Sequence, residues 1–246
     1  MAVAQPEAEA TSACFDRTGT ALHQPARARA GLQELLRKYP GSPWPSFYLV
    51  YQEANPTGEM FRIAAAFAAR KDAMGEVIAH VNLYRLLFNA GRIDAAGAQV
   101  EQTLEVALGS GDATLIARAR VLQARYLWIT GKDLEEAYRL LLQAKPALLP
   151  GGPYSAQREC LLALGNIDLE LGRYQEGLDT FRALAELATA KEDGFSEANA
   201  RYGIARAVLD QTGELPSEAG RQEVVRLADQ ALAAADASKN EALLSS

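Results

Sequence analysis

Residues 163–187 read "ALGNIDLELGRYQEGLDTFRALAEL". Two apolar-periodic segments meet at Leu171-Gly172-Arg173. Apolar residues recur every three or four positions on each side, as an amphipathic helix requires. Glycine between the segments suits a helix end, because a left-handed backbone costs it little. The stretch therefore predicts a helical hairpin, with the second helix folded back antiparallel on the first.

Working outward, the same unit recurs. Glycines stand at Gly58, Gly91, Gly131, Gly172 and Gly213, each between an apolar-periodic segment and another. The upstream segments include "EVIAHVNLYRLLFNAG", "TLIARARVLQARYLWITG" and "AQRECLLALGNIDLELG"; the downstream ones include "RIDAAGAQVEQTLEVAL" and "KDLEEAYRLLLQAKPALL". Polar or Gly/Pro-rich breaks separate the pairs at Lys71-Asp72, Gly109–Asp112, Pro150–Pro153 and Lys191–Gly194. One amphipathic hairpin cannot cover its own apolar face, so a series at near-constant period predicts stacking. Upstream, residues 26–39 form one more helix, ending at Pro40-Gly41 and followed by Pro43 and Pro45.

The predicted fold is all-α, an α-solenoid of about five antiparallel helix pairs with an extra N-terminal helix. Composition agrees: Ala and Leu dominate an apolar fraction of 49%, and aromatics make up 7%. Residues 1–23 read as a poorly ordered tail, 24–237 as a single solenoid domain, and 238–246 as the first turn of a further helix, cut short.

The residues Leu161, Leu164-Gly165, Gly172-Arg173-Tyr174 and Phe181 resemble the tetratricopeptide repeat (TPR) family. Gly131, Ala137, Leu141 and Ala144 match in the third hairpin, and Leu83, Gly91, Ala96 and Val100 in the second. Leu161 stands where that family has tryptophan, Gly177 where it has alanine and Asp168 where it has tyrosine. The period of about 40 exceeds the family's usual 34. The resemblance implies a right-handed superhelix whose first helices line a concave face. It also implies a protein-interaction scaffold binding a peptide or partner domain. The family's carboxylate clamp is matched only at Asn166, with Val81, Val121 and Leu162 where its lysine would stand. The runs "GEVIAHVNLYRLLFNAGRIDAAGAQVEQTLEVALGSGD" and "RARVLQARYLWITGKDLEEAYRLL" further resemble the N-terminal TPR region of bacterial CHAT-domain proteins, which are caspase-like proteases. That implies a sensor or regulatory region of a larger signalling protein.

No catalytic constellation emerges. His23 and His80 are the only histidines, and no Cys/His cluster has metal-ligand spacing. Cys160, beside Leu161 and Leu162, reads as a small buried hydrophobe. The chain is expected to be non-enzymatic, with no cofactor and no metal. A net charge of −6 disfavours nucleic acid as partner. The arginines at Arg118, Arg120 and Arg125 read as solvated helix faces. The start "MAVAQPEAEATSAC" does not read as a secretory signal, no apolar run reads as a membrane span, and two distant cysteines suit a reducing, cytoplasmic setting.

The candidate site is a recognition groove. Counted from the turn glycines, Arg85, Arg125 and Asn166 share one position in three successive repeats. Phe88 and Trp128 follow three residues on, then Asn89 and Glu170. Arginine beside aromatic residues suits an acidic or aromatic peptide. Beside the sensor reading, self-association through the solenoid ends is a third option.

Overall fold

The computed structural model describes residues 25–50, 56–149 and 151–212, with isolated helical residues between 222 and 233. Among them every regular element is an α-helix. They are α1 (Pro25–Lys38), α2 (Pro43–Val50), α3 (Thr57–Ala69), α4 (Ala73–Asn89) and α5 (Ile93–Ser110), then α6 (Ala113–Ile129), α7 (Leu134–Leu148), α8 (Tyr154–Glu170), α9 (Tyr174–Ala190) and α10 (Gly194–Thr212). The expected tail at 1–23, Gly213 and the segment 238–246 lie outside the described residues.

The helices fall into two compact units, divided between Gly111 and Asp112. In the first unit each helix packs on the next in sequence, from α1 to α5. Leu32, Leu35, Trp44, Phe47, Met60, Ile63, Phe67 and Leu83 form its core. In the second unit sequence neighbours also pair, and a further layer of contacts joins α6 to α8 and α8 to α10 directly. Its cores centre on Leu141, Leu148, Leu164 and Ile167, and on Leu161, Phe181 and Leu184.

Backbone chemistry sets the rhythm. Positive φ occurs at Lys71, Gly91, Gly111, Gly131, Gly151, Gly172 and Glu192, with successive positions 20 residues apart, or 21 at one step. At Gly172 the Arg173 N–H donates to the carbonyl of Asp168 at 2.8 Å, and the Gly172 N–H to that of Leu169 at 3.1 Å. These bonds satisfy carbonyls that the ending helix leaves open. The same bonds recur around Lys71 (Asp72 to Phe67, 3.1 Å) and Glu192 (Asp193 to Ala188, 3.0 Å). Thus the breaks between pairs use the same turn as the hairpins, in two cases without glycine.

Two expectations are corrected. Gly58 is not a left-handed turn residue: it sits in the first turn of α3, which Pro56 and Thr57 open. Pro43 and Pro45 do not extend the break after α1; they begin α2, where the missing N–H has no helical partner to lose.

Close approach between helices depends on small residues. A Cβ on Gly75 would come within 2.2 Å of the Phe67 ring. Phe181 of α9 fills a slot between α8 and α10. A Cβ would lie 2.9 Å from its ring at Gly165 and 2.5 Å from it at Gly203.

Candidate functional site

Aspartate N-caps open α4 and α10. Asp72 accepts from the Gly75 N–H at 2.9 Å and from the Trp44 indole of α2 at 3.0 Å. Asp193 repeats this arrangement, accepting from the Ser196 N–H at 3.0 Å and from the Tyr154 hydroxyl of α8 at 2.6 Å. Each cap therefore also ties its helix to an aromatic residue near the start of the previous first helix. Burial would raise the Asp193 carboxyl, but hydrogen bonds from Tyr154 and Ser196 and the charge of Arg158 hold it below its ordinary pKa. Burial and the bond to Asp193 push the Tyr154 hydroxyl up to about 12.

In the first unit, Arg85, Phe88 and Asn89 lie in the last two turns of α4. Arg85 is exposed and makes no ion pair or hydrogen bond among the described residues. Phe88 is half-buried, its ring 5.6 Å from that of Tyr84, and Asn89 is exposed at the helix end. His80, one turn earlier, is buried and linked by Nδ1 to Gln99 of α5 at 2.8 Å, which makes it a bridge within the hairpin.

The other four candidates lie on α6 and α8 of the second unit. Trp128 packs its ring against the core and donates its indole N–H to Glu170 at 2.8 Å. Arg125 Nη1 lies 3.6 Å from Glu159 of α8. The Asn166 amide donates to the Leu162 carbonyl one turn back at 2.8 Å. So Arg125 and Trp128 each reach across to α8, and Glu170 receives one of them. The clamp positions are apolar in fact as in sequence, with Val121 buried and Val81 and Leu162 half-buried.

Sequence reasoning missed the acidic partner at the centre, Glu159. Arg118 and Arg125 of α6 and Arg158 of α8 all face its charge. Arg118 and Arg120 are half-buried instead of fully solvated. Burial lowers the Arg118 pKa below its ordinary value, with Glu159 pushing the other way. Glu159 sits one repeat beyond Arg118 at the same offset from the turn glycine, so the period already contained this opposition of charge.

Other titratable groups are structural in their surroundings. Cys160 is a free, fully buried thiol, and burial raises it to about 11. Among the described residues no His, Cys, Asp and Glu group could hold a metal ion, and no helix is long and apolar enough to cross a membrane. No protein-family model matches the chain, and no curated protein aligns with it significantly.

Proposed function

We propose that the chain is a non-catalytic, cytoplasmic protein-interaction module. Its architecture is a TPR-like α-solenoid, right-handed and of about five helix pairs. It binds a peptide or partner domain on the face formed by the first helices. The observation that carries this reading is the direct contact of α6 with α8 and of α8 with α10. Such a layer gives the second unit one side built of first helices, the kind of surface on which repeat proteins recognise extended ligands. Arg125, Trp128, Asn166 and Glu170 supply polar and aromatic anchors in the second unit, and Arg85, Phe88 and Asn89 supply similar ones in the first.

The test is capture of partners from the source cell with the full chain, beside a variant carrying Arg85→Glu and Arg125→Glu. A partner retained by the native chain and lost by the variant supports the face. Unchanged capture would move the site to the other helix layer or to the ends.

A further inference from the structure

Some arginines of the second unit use most of their donors. Arg201, for example, directs both Nε and Nη2 at Glu197 and Nη1 at Gln230. Arg118 and Arg125 do not. Neither donates a hydrogen bond to any described residue, although both are half-buried. They lie seven residues apart on α6, hence two turns along one face. Opposite them, Glu159 of α8 accepts no hydrogen bond among the described residues. Its nearest cations are Arg125 at 3.6 Å and Arg158 at 3.8 Å. Charge-assisted bonds lie at about 2.7–2.9 Å. Arg158 is also drawn to Asp193, 3.5 Å away. Glu159 is thus loosely held, near Arg125 and acting on Arg118 through its charge alone, with unused donors on both arginines.

We propose that this α6–α8 face binds an acidic segment of a partner protein, whose Glu or Asp carboxylates engage Arg118 and Arg125, and that Glu159 is an internal competitor for that position. The proposal rests on the groove reading above and adds the ligand's chemistry. A carboxylate is the indicated group because one, Glu159, already lies 3.6 Å from Arg125 and acts through its charge on Arg118. A planar guanidinium pairs such a group through two parallel bonds, which the present spacing to Glu159 does not allow. Trp128, three residues beyond Arg125, offers an aromatic surface for the residue beside the acid. The chain's net charge of −6 repels ligands in proportion to their total negative charge, which disfavours a long polyanion such as nucleic acid more than a short acidic peptide.

The probes are a fluorescein-labelled octapeptide of six glutamates and two phenylalanines, its glutamine isostere, and a labelled single-stranded DNA 20-mer, all titrated by anisotropy at constant salt. The glutamate probe should bind about tenfold more tightly than the isostere, corresponding to about 1.4 kcal/mol. Arg118→Gln and Arg125→Gln should each weaken it roughly three- to tenfold, and Glu159→Gln should strengthen it by a similar factor. The arginine variants keep the test decisive should loss of Glu159 disturb folding. Equal binding of both peptides, lost on Trp128→Ala, would overturn the acidic chemistry and leave the groove standing. Glutamate-probe binding indifferent to both arginines would overturn the assignment, as would tighter binding of the DNA. Binding of no probe, even to the Glu159→Gln variant, would also overturn it.

Discussion

Asp168 shows how a single buried group leaves a mark on stability. It is 1% exposed and its Oδ1 has no hydrogen-bond partner among the described residues, while Oδ2 has only a long contact of 3.5 Å from Thr180. Burial is the main cause that raises its pKa to about 6, with Arg173 and Lys145 acting against that and Glu176 adding to it. An unfolded aspartate titrates near 4. Between these values the native state holds the proton more tightly, so this group's contribution falls as pH rises from about 4 to about 6. Asp168→Asn is expected to stabilise the protein at pH 7 by up to about 3 kcal/mol, with little effect at pH 4. Urea midpoints for both chains at the two pH values check this; equal differences would contradict it. The left-handed residues make a second prediction at this scale. Gly172→Ala should cost about 1 kcal/mol, whereas Lys71→Gly should stabilise by up to about 1 kcal/mol, since Lys71 already holds a φ of 57°. Denaturant midpoints of the two variants moving in the same direction would refute it.

At the scale of elements, the slot around Phe181 fixes how α8, α9 and α10 meet. A methyl at Gly203 would come within 2.5 Å of the ring of Phe181, a residue 1% exposed. Gly203→Ala is expected to cost about 1–3 kcal/mol by overpacking. Pairing it with Phe181→Leu should recover part of that cost, because residues in contact are coupled. A chemical-denaturation double-mutant cycle with additive changes would show that the ring and the glycine do not compete for space. The helices themselves were legible in sequence: Ala96, Ala137, Leu141 and Phe181, picked out by period, are all buried. Gly203 was not, because its partner lies on another helix and no local pattern marks a slot. Lys71 and Glu192 were equally hidden, since side chains that avoid positive φ give no sign of adopting it. The proline pair at 43 and 45 misled for a related reason: proline punctuates a helix at either end, and only the chain's path distinguishes entry from exit.

For the whole molecule, periodicity placed the candidate residues on helices but did not give their side-chain pairing. Counting from turn glycines placed Arg125, Trp128 and Asn166 on first helices, and they stand there. It did not pair Arg125 with Glu159 or Trp128 with Glu170, because those contacts run diagonally between α6 and α8 at different offsets. The face is therefore partly engaged with itself, and on the proposed reading a partner competes with internal acids. The most direct measurement places a photo-crosslinking amino acid at Asn166 on α8, and in a second chain at Arg182 on the exposed side of α9. Both are irradiated in the source cell, and adducts are resolved by mass. The interaction-face account predicts a discrete protein adduct from position 166 and none from position 182. Adducts from 182 alone, or the same adducts from both, would contradict it.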